Sequence, residues 1–343
     1  MIASTLEKLA RGQDLSREEA AAVLEQVVQN AIPPAAAGAL LMGLRTKGEH
    51  PREITGFADT MEKHMVRVTL NDPDAIDVCG TGGDGKHTFN ISTAAAFVIA
   101  AGGVTVAKHG NRSVSSKAGS ADVLEALGIR IDLTPEQAVR CANEMGITFF
   151  FAPLYHPAMK HIAPHRKHLG IRTVFNILGP LLNPARVRRQ LIGAFDRETA
   201  QRLAEVLATR GVHRAVTVHS QDGYDEASPF ASNHLFLIQP NNGGIQSLEY
   251  RAPIDGRSFQ PEELQGHSAR ENAEKIQGVL SGKIRGAARE MVVLNAALGF
   301  FVAEKVQKIE DGLELARECI DSGAAMKTLE AFREFTQNCK GES

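Results

Sequence analysis

Two stretches of this chain gather residues suited to holding anions. The first reads Gly80-Thr81-Gly82-Gly83-Asp84-Gly85. Successive glycines let backbone N–H groups close around phosphate oxygens, because no Cβ blocks the approach. Asn90-Ile91-Ser92-Thr93 follows and places small polar side chains at an expected helix start. Free N–H groups and the helix dipole favour negative charge there. The plainer reading is a tight turn followed by an N-cap, for which one polar residue would suffice. The loop also satisfies GxGxxG after an apolar segment, the pattern of a dinucleotide site. Two residues oppose that reading. Asp84 would repel a bare diphosphate unless a metal intervenes, and the next expected strand ends in Lys108 rather than in an acid for ribose hydroxyls. A phosphate or diphosphate site is favoured.

The second stretch runs from Lys108 to Ser120 and holds three cations and four serines. A solvated connection would account for such a composition. Yet two polar, glycine-containing loops after successive strands converge at the carboxyl edge of a parallel sheet, where α/β proteins bind ligands. Lys108 and Arg112 would neutralise phosphate charge, while serines and backbone amides bond its oxygens. Together the loops ask for a ligand with several phosphates.

The elements that must carry these loops show in the periodicity. Residues 1–70 read as helices only: Ser16 and Glu19 form a capping-box pattern, Pro33-Pro34 opens a helix ending at Lys47-Gly48, and Pro51 starts a third. Asn71-Asp72-Pro73-Asp74 breaks the pattern and marks a boundary. Strands are then expected at Ala75–Cys79, Val104–Ala107, Ile129–Leu133, Ile147–Phe151, Leu191–Ala194 and Ala215–Val218. Helices are expected between them, one of them capped by Thr134-Pro135-Glu136-Gln137. Alternation of this kind implies an α/β fold with a mainly parallel sheet. Asn242-Gly243 after Leu235–Ile238 reads as a long hairpin turn, and the end of the chain reads as helical. A basic, Pro-containing segment over 153–190 interrupts the rhythm.

Composition narrows the function classes. A length of 343 residues suggests about two domains, and 43% hydrophobic with 23% charged residues excludes a disordered chain or a fibre. Apolar runs such as Ala94–Ala101 fall short of the roughly 20 residues a membrane span needs. The start, Met1 to Lys8, lacks the pattern of a signal peptide. A net charge of −2 provides no global basic field, so neither nucleic acid nor membrane is an expected partner. There is no Trp, and the 31 Gly suit close backbone approach to a small charged ligand. Cys79, Cys141, Cys319 and Cys339 show no CxxC or CxxH spacing, which fits a reducing, cytoplasmic setting. Cys79 borders the first loop without an evident base and reads as a packing residue.

With both loops in view, the sequence resembles the anthranilate phosphoribosyltransferase family. The matching elements are Gly80–Asp84, Asn90–Thr93, Lys108–Arg112, Ser116–Ser120, Pro164-His165-Arg166, Asn176–Pro184 and Asp225-Glu226. The resemblance implies a small helical domain over 1–70, rejoined in space by about 153–190, beside a large α/β domain over 71–343. It also implies a homodimer through the helical domain. The implied reaction transfers the phosphoribosyl group of phosphoribosyl pyrophosphate (PRPP) to the amine of anthranilate, releasing pyrophosphate, in tryptophan biosynthesis.

By that resemblance Gly80, Gly83, Asp84, Thr88, Asn90, Ile91, Ser92 and Thr93 would hold PRPP. Lys108, His109, Gly110, Asn111, Arg112, Ser113, Val114, Ser115, Ser116 and Ser120 would complete that site. Ser92, Asp225 and Glu226 would bind Mg²⁺, expected at two ions per active site. Arg166, with Asn111 and Gly80, would receive anthranilate; a planar guanidinium suits its carboxylate, although a salt bridge or a solvated face is the plainer role. His161, His165 and His168 share one helical face near His156, but no acid accompanies them to favour a metal. A nucleoside phosphorylase is the enzyme alternative and would use no PRPP. A nucleic-acid-binding relative is the other, and it would be expected to lack the metal and aromatic-acid residues present here.

Overall fold

The computed structural model describes residues 2–113, 118–239, 244–254 and 260–339. Four helices come first: α1 (Ile2–Ala10), α2 (Arg17–Val28), α3 (Pro34–Lys47) and α4 (Pro51–Lys63). Their ends are determined locally. Ser16 Oγ accepts from the Glu19 N–H while the Glu19 carboxylate accepts from the Ser16 N–H, the expected capping box. Pro34 and Pro51 take first helical positions, where the missing N–H has no intrahelical partner to lose. α2 and α4 pack closely because Gly56 has no side chain. A Cβ there would run into the Arg17 carbonyl and sit 3.0 Å from the Ala20 Cβ.

From Ile76 the chain alternates: β1 (Ile76–Gly80), α5 (Ile91–Ala101), β2 (Val106–Gly110), α6 (Ser120–Ala126), α7 (Pro135–Met145) and β3 (Ile147–Phe151). Three short helices interrupt it, α8 (Ala152–Tyr155), α9 (Met159–Leu169) and α10 (Phe175–Leu178). It resumes with β4 (Arg189–Gly193), α11 (Arg197–Thr209), β5 (Arg214–Ser220), β6 (Asn233–Ile238) and β7 (Ile245–Tyr250). Four helices close the chain, α12 (Ala269–Leu280), α13 (Ala287–Val302), α14 (Ile309–Asp321) and α15 (Ala324–Asn338). The strands form one sheet in the order β3-β2-β1-β4-β5-β6-β7. β1 to β5 are parallel, and β6 and β7 add antiparallel. The order reverses between β1 and β4, which opens a crevice at their carboxyl ends.

Two hydrophobic cores flank this sheet. One gathers Phe97, Phe150, Leu294 and Phe332 from α5, β3, α13 and α15. The other joins Leu24 and Phe57 of the first helices to Ile162, Phe175 and Leu203, and reaches the sheet through Ile192 and Phe236. α9 thereby lies against α2 and α3, and α10 against α4. The connecting chain runs alongside, its Val66 N–H donating to the Tyr155 carbonyl at 2.8 Å.

Two expectations are corrected. The strand expected over Val104–Ala107 is Val106–Gly110, so Lys108 and His109 are strand residues, not loop residues. Pairing of Val106–Gly110 with Ile147–Phe151 carries the strand past its apolar run. Ile129–Leu133 is extended but joins no strand. Its alternating Ile129, Ile131 and Leu133 are buried, while the Arg130 N–H donates to Thr336 Oγ1 of α15. Alternation marks an extended chain with one buried face, whether or not a ladder partner exists. The hairpin expected at Asn242-Gly243 falls outside the described residues; the flanking Ile238 and Ile245 are partners across β6 and β7.

Gly56→Ala should lower stability by about 1–3 kcal/mol through overpacking, read from the urea midpoint. An unchanged midpoint would mean that α2 and α4 separate at no cost.

Candidate active site

The carboxyl ends of β1, β2, β4 and β5 meet at one place, and glycine decides how close their loops come. Gly193 ends β4, and a Cβ on it would overlap the Asp225 carbonyl. A Cβ on Gly80, ending β1, would stand 2.8 Å from Asp225 Oδ2. The loop after β5 therefore lies directly on two strand ends, with both Asp225 and Glu226 buried. The Gly82 N–H donates to Asp225 Oδ2 at 2.7 Å, and the Ser92 N–H, in the first turn of α5, donates to Glu226 Oε1 at 3.2 Å. Asp84 Oδ2 accepts from the Asp225 N–H at 3.4 Å, which brings a third carboxylate to the cluster.

The first loop needs glycine for a second reason as well. Gly82, Gly83 and Gly85 stand at φ +67°, +81° and +74°, the left-handed region that a side chain disfavours. An isolated bridge between Thr88 and Gln265 holds the far end of the loop. Asn90 does not cap α5. Its Nδ2 donates to the Ala118 carbonyl and its Oδ1 accepts from Asn272 Nδ2, tying the two loops to α12. Ile91 is buried beneath the loop, and Thr93 points inward to a 10 Å³ cavity that Thr148 also lines.

Lys108 is the buried cation of the site. Its Nζ donates to the Val78 carbonyl at 2.6 Å and to Ser92 Oγ at 3.4 Å. The surrounding acids are nevertheless in excess. Burial, then the charges of Asp84 and Glu226, push the Asp225 carboxyl far above its usual range. Burial likewise raises Glu226 to about 7, although Lys108 and Ser92 work against it. Asp77, below them on β1, rises to about 6 through burial. Crowded oxygen donors of this kind are the donor set of a hard divalent cation. Among the described residues no three of His, Cys, Asp or Glu cluster as a self-contained metal cage. Mg²⁺ bound through one or two carboxylates and ligand phosphates needs no such cage, so the residues present fit it.

The second loop folds back on α6. Its remaining bulk is excluded at Gly110, where a Cβ would meet the Ser120 hydroxyl, and at Gly119, where it would meet the Ser113 backbone. The Asn111 carbonyl accepts from the Ala121 N–H, and the Ser113 N–H donates to Asp122. Arg112 is taken up by Asp122 and Glu125, at 2.9 and 2.5 Å. Val114, Ser115 and Ser116 lie outside the described residues.

Arg166 lies on α9, half-buried, with its guanidinium 5.6 Å from the centre of the Phe175 ring. Burial lowers its pKa, and no described carboxylate pairs with it. Nearby chain reaches the first loop: Arg172 stacks 4.3 Å from the Phe195 ring centre and donates to the Gly83 carbonyl at 3.3 Å. His161, His165 and His168 stay on α9, whereas His156 leaves them for β2, its Nε2 3.2 Å from that of His109. Burial pushes the two imidazoles down, to about 3 for His109 and about 4 for His156. The Cys79 thiol is driven up by burial and the nearby Asp77 charge, as suits a packing residue rather than a nucleophile.

The pattern of a glycosyl transferase family, a/b domain, matches residues 72–326, and that of its helical bundle domain matches residues 3–65. The chain is 46% identical over 342 residues to the anthranilate phosphoribosyltransferase of Salinibacter ruber, covering 98% of this chain and 99% of that one. It is 48% identical to that of Thermomicrobium roseum, covering 97% and 96%. The chain belongs to the anthranilate phosphoribosyltransferase family. The family member of Thermus thermophilus superposes with a TM-score of 0.87 at 39% identity, covering 97% of this chain and 99% of that one. That of Saccharomyces cerevisiae, solved in complex with PRPP and Mg, gives a TM-score of 0.88 at 27% identity, with 98% of each chain covered.

Sequence reasoning missed several residues that build this site. Gly193 carried a signal, a glycine inside an apolar strand, which marks close backbone approach. Asn295 carried another, a lone polar residue in the apolar run of α13. The pairing of His109 with His156 had none, since the contact exists only after β2 and α8 are placed.

Two outcomes follow from this geometry. Replacing Asp225 and Glu226 together by Ala should abolish magnesium-dependent turnover while leaving the fold intact, read by circular dichroism. Near-normal turnover would sink the metal assignment. The histidine pair gives a pH dependence. Below pH 6.5 the unfolded chain binds protons that the buried imidazoles refuse, so stability present above pH 6.5 is lost as pH falls towards 3–4. The loss is about 1.5 kcal/mol per histidine between pH 6.5 and 5. Urea midpoints at the two pH values should show it, and His156→Leu should flatten the slope.

Proposed function

We propose that this chain transfers the phosphoribosyl group of PRPP to the amine of anthranilate, giving N-(5-phosphoribosyl)anthranilate and pyrophosphate, in tryptophan biosynthesis. The observation that carries this reading is the meeting of three things at the switch point of the sheet. A left-handed glycine loop and a buried lysine stand there beside an excess of buried carboxylates.

Each residue then has work suited to its chemistry. Backbone N–H groups of the Gly80–Gly85 loop and of the α5 start receive the diphosphate and phosphate of PRPP, with Lys108 as the buried counter-charge. Thr88, Asn90 and Ser120 frame that site with Asn111 to Ser116. Arg166, which pairs with no described carboxylate, receives the carboxylate of anthranilate, with Gly80 and Asn111 beside the ring. His109 and His156 are neutral at pH 7, so they present uncharged imidazoles to an aromatic acid. Anthranilate's amine is neutral and nucleophilic, so the harder step is departure of pyrophosphate from C1 of the ribose. Bound Mg²⁺ supplies charge neutralisation on that leaving group. Asp84, Asp225, Glu226 and Ser92 gather oxygen atoms at one place, which supports Mg²⁺ there; two ions per active site are part of this reading. Positioning of the amine beneath C1 supplies much of the remaining acceleration, and no general base is needed.

The packing of α9 and α10 on the first helices supports a small domain of 1–70 with 153–190. A homodimer through those helices is part of this reading. A cytoplasmic location is part of this reading; no helix among the described residues is long and apolar enough to cross a membrane.

Loss of anthranilate fluorescence on mixing with PRPP and magnesium tests the activity. Absence of that loss, with phosphorolysis of thymidine or uridine instead, would overturn it. Arg166→Ala should raise the anthranilate KM by about 10- to 100-fold, equivalent to about 1.4–2.7 kcal/mol, and leave the PRPP KM within about 3-fold.

A further inference from the structure

We infer that Asn295 is a positioning residue for the Asp225-Glu226 pair and sets how those carboxylates meet a cation and diphosphate; this rests on the function proposed above. Along Met291–Val302, α13 is otherwise apolar, and an amide buried there is costly unless its polar atoms are bonded. Asn295, 1% exposed, bonds them all. Its Oδ1 accepts from the Ala227 N–H at 3.0 Å, and its Nδ2 donates to the Ala227 carbonyl at 2.9 Å and to the Met291 carbonyl at 2.8 Å. The side chain therefore grips both backbone groups of the residue directly after Glu226.

The loop does not need Asn295 to close on itself. The Ser228 N–H donates to Asn233 Oδ1 at 2.8 Å, and Asn233 Nδ2 donates to the Ser228 carbonyl at 2.8 Å. What Asn295 adds is a fixed point from outside the loop. Gly193 seats the Asp225 carbonyl, and the Ser92 N–H holds the Glu226 carboxylate. Three consecutive residues are thus anchored by β4, α5 and α13. Without the grip on Ala227 the backbone that carries both carboxylates is free to shift, and the pair loses its common aim.

Two variants test this. Asn295→Ser keeps a hydroxyl able to bond the Met291 carbonyl one turn back and gives up both bonds to Ala227; Asn295→Ala gives up all of them. Calorimetric titration with magnesium pyrophosphate should show binding weakened by about 10- to 100-fold in either variant. The magnesium needed for half-maximal turnover should rise in parallel, and kcat at saturating magnesium should stay within about 3-fold. Leu329→Ala, a buried truncation on α15, should lower the melting temperature and leave both magnesium readouts unchanged. Unchanged magnesium pyrophosphate affinity in a folded Asn295 variant overturns the assignment, as does an equal loss in Leu329→Ala. A native chain that turns over anthranilate while the Asn295 variants behave normally overturns this inference alone. A native chain with no magnesium pyrophosphate binding overturns the functional reading with it.

Discussion

A buried ammonium is what draws this site together. Lys108 sits within β2, out of solvent, and a charge so placed is tolerated only with bonds and counter-charges around it. The Val78 carbonyl and the Ser92 hydroxyl provide the bonds, and Asp77 and Glu226 feel its charge. Those partners belong to β1, the start of α5 and the loop after β5. One side chain thus fastens β1 and the start of α5 and, through its charge, the acidic loop. Asp77 is secured in turn by Asn183 Nδ2 at 2.8 Å and the His109 N–H at 3.2 Å, which brings in the segment that returns to the first helices.

Glycine serves the same convergence in two distinct ways. Gly82, Gly83 and Gly85 adopt a backbone that other residues resist, while Gly80 and Gly193 have ordinary angles and matter for the volume they leave empty. The strand order is that of many dinucleotide-binding sheets, and the first loop even matches their glycine pattern. The side chains at this edge set the chemistry apart: Lys108 lies on β2, Asp77 on β1, and Asp225 and Glu226 on the loop that covers Gly80 and Gly193 at the ends of β1 and β4. Function here resides in the loops, not in the sheet beneath them.

The acid excess carries a stability cost, since burial and mutual repulsion both favour protonated carboxyls. A fold selected for stability alone would not keep Asp84, Asp225 and Glu226 so close. Their retention is intelligible where a cation completes the charge balance, a common trade of stability for activity.

Much of this was legible in the sequence because it is local. Caps at Ser16 and Thr134, prolines opening α3, α4 and α7, and the apolar periods of β1, α5, β3 and α11 depend on neighbours a few residues away. The expectation that the two loops bind anions rests on the same local reading, since glycine runs and small polar residues declare their chemistry in place. Local pattern also misled. Ile129–Leu133 alternates like a strand yet bonds to α15, and Lys108 and His109 read as loop although pairing with β3 extends β2 through them. Tertiary structure alone decided what lies far apart in the chain. It seated Asp225 on Gly193, joined His109 to His156, engaged Arg112 with Asp122 and Glu125, and put Asn295 against Ala227. The physical reason is that a local conformation is set by its own side chains, whereas the charge, burial and reach of a site residue are set by whatever the folded chain brings beside it.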